Sequence, residues 1–142
     1  MPVGNLVQRG SGVRERAALG VLLVAVLLTG GCSRTGSSDP PVDHFAAGTC
    51  RQAAPPTIAV GKLVADVTQH AKTAQQVEPA ITQEQARLRA LLPSAGPTAR
   101  PLQDLITAIG YFRITLDSHT YTTARLADVK NARAALIRYC TK

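Results

Sequence analysis

From residue 57 onward the apolar positions recur with a period near 3.6, the signature of helices that each bury one face. Val60, Leu63, Val64, Val67, Ala71 and Ala74 fall on one arc, with Lys62, Gln69, Lys72 and Gln76 opposite. This pattern predicts a first helix over about 57–77, preceded by Pro55-Pro56 and capped by Thr57. Pro79 then interrupts, and Thr82-Gln83-Glu84-Gln85 has capping-box spacing. A second helix therefore runs to about Leu92, with Ile81, Leu88 and Leu91 apolar. The run Pro93-Ser94-Ala95-Gly96-Pro97 is the strongest turn signal in the body. Pro101 suits the first turn of a third helix, whose stripe is Leu102, Leu105, Ile106, Ile109, Phe112 and Leu116. Asp117 to Thr123 is poor helix material, and a fourth helix follows with Leu126, Val129, Leu136, Ile137 and Cys140 on one side.

These elements predict an all-α fold, a four-helix up-down-up-down bundle closed by a disulfide. The alternative is a long, kinked two-helix antiparallel hairpin about the 93–100 turn, with the breaks at Pro79 and near His119 reduced to kinks. Tyr111 and Ile114 lie opposite the main stripe of the third helix. They favour the bundle, because a bare hairpin offers no second neighbour to cover them. Composition agrees with helices: the chain has two Phe, three Tyr and no Trp, too few aromatics for a sandwich or barrel.

The amino-terminal third follows a different pattern. Arg9, Arg14 and Arg16 precede an uninterrupted apolar run from Ala17 to Leu28. As a helix this run would extend about 18 Å against roughly 30 Å of hydrocarbon, too short to span. A basic start, a short apolar run and small residues make a secretory signal peptide. Leu28-Thr29-Gly30-Gly31-Cys32 then resembles the lipobox of bacterial secreted lipoproteins. The resemblance implies cleavage before Cys32, a diacylglycerol on its sulfur and a lipid-anchored place on the extracytoplasmic face of the cell membrane. Thr29 departs from the family's preference for Leu, and without acylation of Cys32 the product is a soluble secreted protein.

The domains on this reading are a signal peptide over 1–31, a lipid anchor and flexible tether over 32–49, and a helical domain over 50–142. The tether reading rests on the Ser, Gly, Pro and Asp content of 33–49, and it leaves His44 and Phe45 with at most a docking contact. Three cysteines leave one over in an exported protein. If Cys32 carries lipid, Cys50 and Cys140 remain to pair in an oxidising compartment. No CxxC or metal-ligand spacing competes with that use.

The formal net charge is +7, and removal of 1–31 takes away three Arg and one Glu, leaving +5. That surplus suits a body near anionic lipid or wall polymer. Nucleic acid is not expected as a partner, since no aromatic residues are interleaved with the basic ones. Three charges fall within apolar stripes: Glu78, Arg113 and Arg133. Extending the register of the first helix puts Glu78 at the height of Arg113, which predicts a structural ion pair, with Asp117 as a further partner of Arg113 at i+4. Arg133 has no partner legible in the sequence.

Catalytic motifs are sparse. His70 stands at i+4 from Asp66, and His119 falls in a turn. HExxH, GxSxG and a Gly-rich phosphate loop are all missing from the sequence. No enzyme activity, catalytic residue, metal or cofactor is expected. Two functional classes remain: a helical module that contacts another envelope protein through Tyr111 and Ile114, and a small-ligand or haem/metal binder using His70, His119 and Tyr121.

Overall fold

The computed structural model describes residues 39–141. The signal-peptide and lipobox expectations, Cys32 included, lie outside the described residues. Four helices account for the body: α1 (Thr49–Thr68), α2 (Ala74–Ala90), α3 (Ala99–Asp117) and α4 (Thr123–Cys140). Two 3-10 turns, Leu92–Ser94 and Gly96–Thr98, connect α2 to α3. Packing follows the cyclic order α1, α2, α3, α4 and back to α1, so the fold is an up-down-up-down bundle and not a hairpin. Among the described residues no helix is long and apolar enough to cross a membrane.

The core is where the stripes predict it. Leu102, Leu105, Ile109 and Phe112 of α3 are fully buried against Val60 of α1, Ile81 and Leu88 of α2, and Val129 and Leu136 of α4. Each such side chain stabilises the fold by about 1.5–3 kcal/mol when removed from water. Cys50 and Cys140 are joined by a disulfide, which ties the first turn of α1 to the last turn of α4. In the chain-entropy picture a loop of this length contributes about 4–5 kcal/mol.

The first helix boundary is corrected at both ends. α1 begins eight residues before the expected start, so Pro55 and Pro56 lie inside it. They deprive the carbonyls of Arg51 and Gln52 of their helical donors. Burial of Ala53, Ala54 and Pro56 and the disulfide at Cys50 hold the segment helical nonetheless. Thr57, expected as the cap, is buried in mid-helix. α1 ends at Thr68 and not near 77, because Gln69 to Thr73 make a complete stop and restart. His70 adopts φ 57°. Its N–H donates to the Val67 carbonyl, and the Ala71 N–H donates to the Asp66 carbonyl. This is a Schellman ending with His in the place usually taken by glycine. Thr73 and Gln76 then form the capping box of α2, and Pro79 sits within that helix. The Thr82 hydroxyl, expected to cap, donates instead to the Glu78 carbonyl one turn back.

The expected tether is shorter than its composition indicates. The segment 39–48 is docked on the bundle: Val42–His44 form a 3-10 turn and Phe45 is 1% exposed, within the core. The Ala46 N–H donates to the Cys140 carbonyl at 2.8 Å, and the Arg51 guanidinium donates to the Phe45 carbonyl. One large aromatic ring supplies more burial than the surrounding Ser, Gly and Pro residues can oppose.

Candidate functional site

The α1–α2 turn and the chain entering α4 lie at the same end of the bundle and enclose a cleft of about 710 Å³. Its floor is apolar, made by Val64 and Val67 of α1, Ala74 of α2 and Leu126 of α4. Its rim carries His70, Lys72, Lys130 and Tyr121, and no carboxylate is among the lining residues. The Schellman ending creates the wall on one side by turning the chain sharply at His70. On the other side Tyr121 packs edge-on against Phe112, with ring centroids 5.7 Å apart and planes at 89°. That contact is of the favoured T-shaped kind and fixes the phenol at the cleft. Burial raises the Tyr121 pKa above its ordinary value, because the phenolate loses solvation. The hydroxyl, protonated at neutral pH as in any tyrosine, has no hydrogen-bond partner among the described residues.

The two lysines differ. Lys72 Nζ lies 2.8 Å from the Asp66 carboxylate, so Asp66 serves Lys72 and not His70, the partner expected at i+4. Lys130 forms no ion pair among the described residues, since its neighbour Asp128 is engaged with Arg125. His119 does not line the cleft. It ends α3 with φ 55°, its N–H donating to the Leu116 carbonyl and that of Thr120 to the Thr115 carbonyl. Both histidines thus serve as left-handed helix endings, and only His70 and Tyr121 of the three expected ligand residues share a site. Among the described residues no group of three His, Cys, Asp or Glu is placed to hold a metal ion.

The charges within the stripes are resolved by two polar clusters. Arg113 Nε donates to Glu78 Oε1 at 3.2 Å, and Arg113 Nη1 donates to Gln85 Oε1 at 3.0 Å. Gln85 is buried, and its Nε2 donates to the Ile106 carbonyl at 2.8 Å. The pair joins α2 to α3, neighbours in the bundle, and not the first helix to the third as the extended register implied. Gln85, and not Asp117, is the second partner of Arg113. Arg133, buried on α4, donates through Nε to the Thr57 carbonyl at 2.8 Å and pairs through Nη2 with the carboxylate of Asp39. Asp39 lay in the segment read as tether, which is why sequence left Arg133 without a partner.

A surface of another kind lies on α3. Tyr111 and Ile114 are 56% and 61% exposed, so the bundle leaves uncovered the residues whose cover was expected to require it. The Arg125 guanidinium stands 5.9 Å from the Tyr111 ring centroid, in cation–π range. Comparison with protein-family models, curated proteins and solved structures finds no match for this chain.

Proposed function

We propose that the protein is an exported lipoprotein, anchored by a diacylglycerol on Cys32, whose helical domain works at the outer face of the membrane by binding and not by catalysis. The observation that carries this reading is the lipobox-like LTGGC at the end of a short apolar run, with Cys32 as the single cysteine outside the disulfide. The docked amino-terminal segment adds to it. From Cys32 to Asp39 seven residues span at most about 25 Å, so an acylated Cys32 would keep the body within that distance of the bilayer. The remaining surplus of basic residues suits that position.

Two kinds of binding are compatible with such a module. Tyr111, Ile114 and Arg125 offer a contact for an envelope protein, with an aromatic and an Arg of the types enriched at interface centres. The cleft rimmed by Lys130 and Tyr121 favours the second reading, a small ligand. Ligation by the pair His70 and His119 loses its support, because His119 does not line the cleft that holds His70.

Intact mass of the native protein tests the anchor directly. The expected species lacks residues 1–31, carries one diacylglycerol and has one disulfide. A mature chain with unmodified Cys32 would sink the lipoprotein reading.

A further inference from the structure

We infer that the cleft between the α1–α2 turn and α4 is a binding site for a single-chain anionic amphiphile, a long-chain fatty acid. Its acyl chain lies along Val64, Val67 and Leu126, and its carboxylate meets Lys130 and the Tyr121 hydroxyl. This deepens the small-ligand side of the proposed function and rests on it. The volume of about 710 Å³ falls within the roughly 300–1,000 Å³ of small-molecule sites, and the lining has their usual make-up of apolar floor and few polar groups.

Charge selects the head group. No acidic residue lines the cleft, and Asp66 and Asp128, each next in sequence to a lining residue, are occupied by Lys72 and Arg125. One uncommitted ammonium, that of Lys130, matches one negative charge. The Tyr121 phenol, which lines the same cleft, supplies a neutral donor. A monocarboxylate satisfies both, accepting a charge-assisted bond from Lys130 and a second bond from Tyr121. An alcohol or ester of the same chain would leave the ammonium unmatched.

Placement supplies the source. Asp39 is held by Arg133 on the α1/α4 flank, and Lys130 and Leu126 follow on α4 one and two turns from Arg133, toward the cleft. The described chain thus begins at Asp39 on the α1/α4 flank, and α4 carries Lys130 and Leu126 from there to the cleft. In a lipid-anchored protein that flank stays near the bilayer, where free fatty acids partition.

The test uses the full chain carrying Cys32→Ser, which removes any attached lipid, titrated with a dansyl-labelled long-chain fatty acid that is then displaced. Saturable binding is expected, with oleate displacing the probe and methyl oleate doing so about tenfold less well. Lys130→Glu is expected to weaken oleate by about tenfold or more, Tyr121→Phe to weaken it by a smaller factor, and Arg100→Glu at the opposite end to change nothing. The proposal is overturned by absence of saturable binding, by equal displacement with oleate and methyl oleate, or by full affinity in the Lys130→Glu protein. Displacement by vesicles of anionic phospholipid but not by oleate also overturns it, since that marks a membrane-docking face. Failure here is separable from failure of the lipoprotein reading, because the mass of the native protein reports Cys32 whatever the cleft binds.

Discussion

The guanidinium of Arg133 lies over Gly61, so close that a Cβ on residue 61 would stand 2.3 Å from Arg133 Cζ. The bond accepted by the Thr57 carbonyl depends on that gap. Thr57 is four residues before Gly61, and in an α-helix the carbonyl of one residue points at the N–H of the fourth residue on. With no side chain there, the second lone pair of the carbonyl is open to a donor from a neighbouring helix. The same device recurs on α3: Gln85 bonds the Ile106 carbonyl, and Gly110, four residues on, is where a Cβ would approach Gln85 Nε2 to 3.3 Å. Two mid-helix glycines, each unfavourable by propensity, thus admit the two polar cross-links of the bundle.

Gly61→Ala decides between propensity and contact. Propensity alone predicts stabilisation by about 0.5–1 kcal/mol. Displacing the guanidinium forfeits a buried charge-assisted bond worth about 1.5–3 kcal/mol, and this is the larger effect. Net destabilisation of about 1–2 kcal/mol is expected by urea denaturation. In an Arg133→Met background the steric conflict is gone, and Gly61→Ala is expected to become neutral or stabilising. A stabilising Gly61→Ala in the wild-type background would show that Arg133 does not occupy that position.

Phe45 tests where the folded body begins. If 32–49 were all tether, Phe45→Ala would change stability by less than about 0.5 kcal/mol. Its complete burial predicts a loss of about 3–5 kcal/mol. Hydrogen exchange gives a second measure: the Ala46 amide, bonded to Cys140, is expected to be protected like the core and not to exchange at the rate of an open chain.

These cases show what was legible in the sequence and what was not. α3 and α4 were legible because their stripes run without competing signals. The boundary between α1 and α2 was not, because two capping boxes compete, Thr73 to Gln76 and Thr82 to Gln85, and Pro79 drew the break toward the second. Gln85 is then needed inside the bundle, where no local pattern announces it. The partner of Arg133 lies 94 residues away in a segment whose composition resembles a linker, docked by the burial of Phe45 and the bonds around it. The cleft was legible only through Tyr121 and His70. Its other walls come from a turn and a helix entrance, which have no period to read.

Glu78 and Gln85 divide the work of holding Arg113, and their exposure separates them. The side chains of Arg113 and Glu78 are 33% and 28% exposed, so solvent screens their attraction, and Glu78→Gln is expected to cost about 0.5–1 kcal/mol. Gln85→Ala removes a buried amide that satisfies both Arg113 and the Ile106 carbonyl, and an expected loss of about 2–3 kcal/mol follows from leaving buried groups unpaired. Thermal denaturation of the two variants side by side checks the order. A larger loss at Glu78 would mean that the ion pair, and not the buried amide, joins α2 to α3.

His70 and His119 give the sharpest separation between a structural and a ligand role. Both stand at positive φ, a conformation that costs an L residue about 1–2 kcal/mol, and both close Schellman motifs in which glycine is the usual residue. Glycine removes that strain but adds freedom to the unfolded chain worth about 0.4–1 kcal/mol. His70→Gly and His119→Gly are therefore each expected to be neutral or to stabilise by up to about 1 kcal/mol. A β-branched residue is poorest in this region, so His70→Val and His119→Val are expected to destabilise by about 1–2 kcal/mol relative to wild type. Melting temperatures of the four variants check the pattern. If the two glycine variants instead melted lower than wild type, and lost bound metal or haem with the drop, the histidines would be ligands and their left-handed geometry incidental.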